Sequence, residues 1–129
     1  MTADKSSPLT PSKGARVLPR DFHPTQRHHS KAITKGDPDT ALSPLLDTVL
    51  TKLADGEPWA GIWSCGPCEL NFAPPRNVAM VVLEGKAQVT FDNGESVTLR
   101  SGDLINVEKG SESLWQVDEY YKEFVVWFP

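Results

Sequence analysis

The sequence predicts an all-β fold, a sandwich or a small barrel, and three observations carry that prediction. From residue 59 onward, short apolar runs are separated by turn residues at regular spacing. The run "KAQVTFD" alternates strictly, which places Ala87 and Val89 on one face and polar residues on the other. Asn93-Gly94 is a strong hairpin signal, because both central positions of a two-residue turn need positive φ. One face of the predicted sheet is therefore buried and the other is exposed to solvent.

The predicted strands follow one another with little intervening sequence. In chain order they are "WAGIWS", "CELNFA", "NVAMVVLE", "KAQVTFD", "ESVTL", "DLINVE", "ESLWQV" and "YYKEFVVWF". Glu84-Gly85 and the segment 100–103 supply two further tight turns. The chain shows no repeat of 20 to 50 residues, no Gly-rich phosphate loop and no GxSxG elbow. Nucleotide-binding and serine-hydrolase functions are therefore not indicated.

The N-terminal region differs in composition from the rest of the chain. Residues 1–36 are rich in Ser, Pro, Lys and Arg and poor in core-forming side chains. Seven Lys and Arg against two Asp give the first 35 residues a charge of +5, which leaves −9 for the remainder of a chain whose net charge is −4. We predict a basic tail over 1–36, largely disordered or packed on the surface, and a β-barrel over 37–129. An acidic barrel argues against nucleic acid as a partner.

The sequence also bounds where the protein is expected to work. No apolar run approaches the roughly 20 residues that a membrane-spanning helix needs, and the N-terminus lacks a secretory apolar stretch. Two cysteines that close only a small loop do not make a disulfide scaffold. We therefore expect a cytoplasmic protein without a membrane partner.

The segment "ALSPLLDTVLTKLADGEPW" is ambiguous by pattern. Its leucines and valine match a helical stripe, yet "DTVLTKLAD" also carries a β-branched run before an Asp-Gly turn. The pattern alone favours a helix.

Three phrases of the sequence bear a family resemblance. "AGIWSCGPCELNF", "VVLEGKAQVTFDNGESVTLRSGDLINVEKGSESLWQV" and "YYKEF" occur in the order and with the gaps of the cupins. Residues 47–128 resemble the small single-domain cupins related to ureidoglycine aminohydrolase. The resemblance implies a jelly-roll β-barrel whose interior holds a small ligand or a metal-centred site. It also assigns Asp47–Ala54 as a strand, against the helical pattern.

The resemblance also identifies where a cupin metal would be bound. Metal-bearing cupins supply two His separated by one residue, then a Glu and a distant His. In this chain the Glu position is Val78 and the last His position is Ser113. The paired His positions are Phe72 and Pro74, or Asn71 and Ala73 if the gap is one residue longer. None of these is a good substitute for imidazole or carboxylate, so we expect no metal and no cofactor in the usual site.

Strand parity predicts an apolar barrel interior instead. The predicted pocket residues are Phe72, Val78, Met80, Val82, Ser113 and Trp115, together with Val117, with Asn106 as a further polar candidate. Such a lining suits an apolar or aromatic small molecule anchored by Ser113. Alternatively, these side chains fill the barrel and are core only.

Three charged residues near the barrel are further candidates. Lys122 in "YYKEF" matches a basic position of the family's last strand, where it would either hold a ligand carboxylate or lie solvated on the outer face. Glu84 and Glu108 are candidate general acids or bases. Alternatively, they are ordinary surface turn residues.

The only two cysteines form the sequence "WSCGPCE", which has the Cys-Gly-Pro-Cys order of thioredoxin-type enzymes. That chemistry needs a helix N-terminus at the first cysteine, but strands are predicted on both sides of the motif. Gly66 and Pro67 are ordinary turn residues. Cys65 and Cys68 are then free thiols, a strained or regulatory disulfide, or half of a zinc site completed by His28 and His29 of the tail.

These observations support three functional hypotheses. The first is a small-molecule-binding cupin without the usual metal ligands, with catalysis undecided. The second is a metal-dependent enzyme of the ureidoglycine aminohydrolase type, or a related hydrolase or isomerase. The third is a structural or interaction barrel, and exposed strand edges lead us to expect a homodimer.

Overall fold

The structure is a computed structural model that describes residues 9–12, 15–27, 33–35, 45–52, 55 and 57–128. Every structural statement below refers to these residues, and all regular structure among them is β-strand. In chain order the strands are β1 Leu9–Ser12, β2 Ala15–Val17, β3 Gln26–Arg27, β4 Ile33–Lys35, β5 Leu45–Lys52, β6 Pro58–Cys65, β7 Cys68–Phe72, β8 Asn77–Glu84, β9 Lys86–Phe91, β10 Ser96–Arg100, β11 Leu104–Val107, β12 Ser113–Val117 and β13 Tyr121–Phe128.

Two antiparallel sheets form the barrel. One has five strands in the order β10-β9-β12-β7-β4, and the other has six in the order β11-β8-β13-β6-β5-β3. Strands β1 and β2 form a separate hairpin. The long six-stranded sheet places β13 between β8 and β6, so that the last strand of the chain lies at the middle of the structure. This architecture confirms the predicted all-β jelly roll.

The alternation read from the sequence is confirmed by burial. Val78, Met80 and Val82 of β8 are buried while the residues between them are less so. Their counterparts in β12 behave in the same way. The buried set of β12 is Ser113, Trp115 and Val117. The two inward faces together make one hydrophobic core, because period-2 strands put every second side chain on the same side.

The ambiguous segment before residue 57 is a strand. β5 pairs antiparallel with β6, with Asp47 opposite Trp63 and Val49 opposite Gly61. The helical pattern therefore predicted the wrong element, and the strand that the family resemblance assigned to Asp47–Ala54 is confirmed over residues 47–52, while residues 53 and 54 lie outside the described residues. The physical reason is tertiary: β6 offers an open ladder of backbone groups, and pairing with it satisfies the backbone of β5 over eight residues.

The hairpin at Asn93-Gly94 is confirmed, but its turn is not the predicted one. Among the described residues, positive φ occurs only at glycines. Gly94 has a φ of +87°, and the φ of Asn93 is not positive. Phe91 N–H donates to Glu95 O, which closes a three-residue loop instead of a two-residue one. Such loops need positive φ only at the residue before the second strand, so one glycine is sufficient.

Parts of the predicted tail contribute strands to the barrel. β3 pairs with β5 at the edge of the six-stranded sheet, and β4 pairs with β7 at the edge of the five-stranded sheet. Phe22 is buried, with an exposed fraction of 2%. The boundary at residue 36 and the expected homodimer remain predictions. None of the described residues belongs to a helix long and apolar enough to cross a membrane.

Candidate functional site

A cavity of about 310 Å³ opens between the two sheets. Strands β5, β6, β7, β8, β12 and β13 and the segment after β7 contribute to its wall. Its lining residues are Asp47, Thr48, Val49, Glu57, Ala60, Gly61, Ile62, Trp63, Leu70, Phe72, Pro75, Arg76, Met80, Trp115, Glu123, Val125 and Trp127. The lining is mostly apolar with a few charged groups, and the volume is that of a small-molecule site.

Four aromatic side chains line the cavity, two from each sheet, and we call them the aromatic wall: Trp63, Phe72, Trp115 and Trp127. Phe72 meets Trp115 edge to face at 6.1 Å between ring centroids and Trp127 at 6.4 Å. Tyr121 continues the series, because its ring lies 6.3 Å from Trp115 and 6.2 Å from Trp63. Edge-to-face packing locks these rings against one another.

Glu123 is the buried ionisable group of the cavity. Its side chain is only 4% exposed, and Tyr121 Oη donates a hydrogen bond of 2.7 Å to Glu123 Oε2. Burial raises the pKa of Glu123 to about 8, although the hydrogen bond from Tyr121 acts in the opposite direction. Burial and the nearby Glu123 charge likewise raise the pKa of Tyr121. Around neutral pH the carboxyl is therefore mostly protonated, yet it can ionise with a small change of surroundings.

Three more charged residues line the cavity. Asp47 and Arg76 are half-buried, and Glu57 is exposed. The Arg76 guanidinium carbon lies 5.7 Å from the Trp127 ring centroid, which is a cation–π contact. The described lining of the cavity thus combines aromatic surface, acidic groups and the guanidinium of Arg76.

The structure brings together only part of the predicted pocket. Phe72, Met80 and Trp115 line the cavity. Val78 and Val82 are core residues away from it, and Asn106 is exposed on β11. Ser113 is buried, but its Oγ accepts a 2.9 Å hydrogen bond from Trp115 Nε1. Because that hydroxyl is engaged by its neighbour on the strand, it holds the indole in place.

Lys122 lies neither in the cavity nor in solvent. It is 3% exposed, and its Nζ donates to Phe22 O at 2.8 Å and to Arg20 O at 3.2 Å. The Glu84 carboxylate lies 3.6 Å away, so Glu84 is a partner of this lysine and does not face the cavity. Both predicted roles of Lys122 are corrected, because the segment 20–22 covers the outer face of β13. Glu108 is exposed and also does not line the cavity.

The positions that would hold a cupin metal do not fit one. Val78 is fully buried at 0% exposure and has no donor atom, and Pro74 is also buried. Phe72 belongs to the aromatic wall, and the alternative pair Asn71 and Ala73 is exposed. Within the described part of the chain, no group of three or more His, Cys, Asp or Glu side chains is placed to hold a metal ion. The chemistry of this donor set does not support a metal in the family's usual site.

The two cysteines flank a turn between two strands, as predicted, and the structure places these strands in different sheets, β6 in the six-stranded sheet and β7 in the five-stranded one. Cys65 ends β6 and Cys68 begins β7, so no helix N-terminus activates either thiol. Both are free and buried. A hydrogen bond between the thiols and burial raise the pKa of Cys65, and the same hydrogen bond lowers the pKa of Cys68. His28 and His29, the other candidate zinc ligands, lie outside the described residues.

Sequence reasoning missed the residues that give the cavity its character. Glu123, Trp63 and Trp127 were within predicted strands but were not selected. The available signal was parity in the last strand, where Tyr121, Glu123 and Trp127 share the inward face beside apolar neighbours. An acid placed on an apolar face is a candidate site residue.

A second recess of about 330 Å³ lies beside Phe72 and Ser113. Its two acidic residues, Asp92 and Glu112, are both exposed. It therefore lacks the buried ionisable group that distinguishes the first cavity.

Comparison with known proteins agrees with this description. Residues 53–123, over half of the chain, match the family model described as EutQ-like cupin domain. No match is found among the curated proteins.

Solved structures show the same fold. The protein named EutQ from Salmonella typhimurium LT2 is 19% identical with a TM-score of 0.68, over 95% of this chain and 93% of that one. The EutQ protein of Clostridium difficile is 17% identical with a TM-score of 0.68, over 99% and 98%. A DUF861 family protein from Thermotoga maritima is 30% identical with a TM-score of 0.50, over 52% and 76%. From the extent of the family match, the chain belongs to the EutQ-like cupin domain family.

Proposed function

We propose that this protein binds a small, partly apolar molecule inside its barrel without a metal in the usual cupin site. The observation that carries the proposal is the cavity of about 310 Å³ walled by four aromatic side chains. A barrel filled by its own core would leave no such space, because protein interiors are close-packed. Glu123 supplies a buried polar anchor within the otherwise apolar lining.

Metal-dependent hydrolysis of the ureidoglycine aminohydrolase type is not favoured by any contact in the described residues. A metal-activated water needs three or more protein ligands, and the aligned positions are Phe72, Pro74, Val78 and Ser113. Ser113 Oγ is already engaged by Trp115. We therefore propose binding by protein groups alone, and any catalysis would be acid-base work by Glu123.

The proposal is tested by thermal-shift screening of a library of small metabolites on chelator-treated protein. Hits are then titrated by tryptophan fluorescence, because three of the four wall residues are tryptophans. Binding that survives chelation and quenches tryptophan emission is expected. Affinity that appears only after adding a divalent metal would overturn the proposal.

A cavity-filling variant locates the site. Val125→Phe places a larger side chain on the inward face of β13, next to Glu123 and Trp127, and should abolish binding. Met80→Phe provides a second variant if the first fails to fold. The matched control is Val126→Phe, which changes the neighbouring residue on the opposite face. Unchanged affinity in both folded cavity variants would place the ligand elsewhere.

A further inference from the structure

The aromatic wall offers a surface that attracts positive charge. The face of an aromatic ring carries negative potential, and tryptophan is the strongest of these side chains. The structure contains one contact of this kind, because the Arg76 guanidinium carbon lies 5.7 Å from the Trp127 ring centroid. Trp63 and Trp115 line the same cavity. Aromatic cages of this composition are a common means of holding organic ammonium groups.

The charged side chains that line the cavity also favour a positively charged ligand. Among the described residues, three acidic side chains line the cavity, Asp47, Glu57 and Glu123, together with the guanidinium of Arg76. Glu123 is the most buried of them, at 4% exposure. A carboxylate in a desolvated site interacts more strongly with a bound cation than a surface carboxylate does. At neutral pH, where Glu123 is mostly protonated, the acidic side chains of Asp47 and Glu57 still outnumber the one guanidinium among the described lining residues.

We propose that the cavity binds a small organic cation of the alkylammonium class, with its charged head between the aromatic wall and Glu123. This inference rests on the proposed function and names the class of ligand for that cavity. The apolar lining provided by Leu70, Met80 and Val125 would contact the alkyl part of the ligand.

Binding is coupled to release of a proton. The free carboxyl of Glu123 has a pKa of about 8 and is mostly protonated at neutral pH. An incoming ammonium group pairs with the carboxylate form, so the carboxyl O–H bond breaks and its proton leaves to solvent while the ammonium keeps its own protons. Affinity therefore rises with pH, by up to about tenfold for each unit below pH 8, and levels off above it.

Several titratable and charged groups face Glu123 or share its cavity. Tyr121 lies on the same strand and donates the hydrogen bond, and Cys65 on β6 is close enough that Glu123 affects its pKa. Asp47, Glu57 and Arg76 also line the cavity. Tyr121 and Cys65 both have raised pKa values and stay neutral up to pH 8, and the arginine stays charged throughout. Glu123 is therefore the group whose charge changes with a midpoint near pH 8.

Three probes that share a tert-butyl body separate the possible ligand charges. They are neopentylammonium, neopentyl alcohol and pivalate, which carry a positive, a neutral and a negative head. Calorimetric titration of each between pH 6 and pH 9 is the measurement. At pH 8 the ammonium should bind at least about tenfold more tightly than the alcohol, a difference of about 1.4 kcal/mol. Its affinity should rise with pH and its binding should release protons below pH 8.

Matched variants identify the carboxyl responsible. Glu123→Gln should reduce ammonium affinity at pH 8 at least about tenfold and remove its pH dependence. Glu119→Gln changes an exposed acid outside the cavity and should alter neither. Trp63→Leu should weaken ammonium binding, and Trp59→Leu, on the same strand but exposed, should not.

The outcomes separate this inference from the proposed function. Equal affinity for the ammonium and the alcohol would contradict the proposed preference for a cation. It would still support binding of a small molecule inside the barrel. Tighter binding of pivalate, with affinity that falls as pH rises, would assign the cavity to an anion held by Arg76 and overturn the cation as well. If none of the three binds and the metabolite library also gives no hit, both proposals fail.

Discussion

The two faces of the last strand hold two buried ionisable groups in quite different ways. Lys122 on the outer face and Glu123 on the inner face are adjacent, and their exposed fractions are 3% and 4%. Lys122 has two carbonyl acceptors, from Arg20 and Phe22, and a carboxylate partner in Glu84. Within the described residues, Glu123 has one hydrogen-bond donor, Tyr121, and a cavity in front of it.

The difference distinguishes Lys122, a buried charge that stabilises the fold, from Glu123, a buried ionisable group that we assign to the proposed binding site. Burying a charge is costly unless partners replace the lost water, and Lys122 is surrounded by such partners. Glu123 meets that cost by keeping its proton, which is why its pKa is raised to about 8. The single hydrogen bond from Tyr121 does not offset the burial of Glu123, so a cationic partner would stabilise its ionised form. This asymmetry supports the proposal that a ligand binds on the inner face.

The largest expected effect is the pH dependence of stability caused by Glu123. Its pKa rises from 4.5 to about 8 on folding, so between these values the folded state holds a proton that the unfolded state has lost. Stability should therefore fall as pH rises through this window, by about 1.4 kcal/mol per pH unit relative to the non-titrating variant Glu123→Gln. Urea denaturation of both proteins at pH 4, 6 and 8 measures the difference.

Glu119→Gln is the control for that experiment, because residue 119 is exposed. Its stability should stay parallel to the unmodified protein across the same pH range. A constant difference between the unmodified protein and Glu123→Gln from pH 4 to pH 8 would show that the carboxyl is not desolvated, and the contrast between the two faces would disappear.

The next largest effect concerns the outer face. Lys122→Met keeps much of the aliphatic volume but removes the donor to Arg20 O and Phe22 O. Hydrogen bonds from a charged donor are worth more than neutral ones, so the free energy of unfolding should fall by about 2 to 4 kcal/mol. Lys86→Met, at an exposed position, should change it by less than about 0.5 kcal/mol.

Ligand binding distinguishes this variant from changes on the inner face. Because Lys122 does not line the cavity, folded Lys122→Met protein should bind cavity ligands as the unmodified protein does. Loss of binding with unchanged stability would mean that the lysine belongs to the site after all.

A smaller effect is expected from Tyr121→Phe. The variant removes the hydrogen bond to Glu123, which should cost about 1 kcal/mol of stability and move the pKa of Glu123 upward, because that bond lowers it. The pH at which stability stops falling should therefore shift above 8. Tyr120→Phe is the matched control, since Tyr120 Oη bonds His23 Nδ1 at 2.7 Å and not Glu123. An unchanged pH profile in Tyr121→Phe would contradict the assignment.

The smallest effect lies at the cysteines, where Cys65 stands opposite Tyr121 in the strand register. The lowered pKa of Cys68 makes it the more nucleophilic thiol of the pair. With limiting iodoacetamide, mass spectrometry should find Cys68 modified before Cys65 in the folded protein, and both equally in urea. Preferential labelling of Cys65 would reverse the expected order.

The sequence by itself determined the features that depend on local pattern. Period-2 alternation located the inward residues Val78, Met80 and Trp115, because a strand exposes its faces alternately whatever it packs against. Turn chemistry located the hairpin at Gly94, although not its exact loop. Residue type alone also led to the expectation that Val78 cannot ligate a metal and that Ser113 is a poor substitute for a histidine ligand.

Only the tertiary structure decided the features that depend on distant partners. β5 is a strand because β6 and β3 pair with it, while its own pattern favours a helix. Lys122 is a structural residue because Arg20 and Phe22, about one hundred residues away, cover it. The elevated pKa of Glu123 arises in the same way, from desolvation by elements that only the fold brings together.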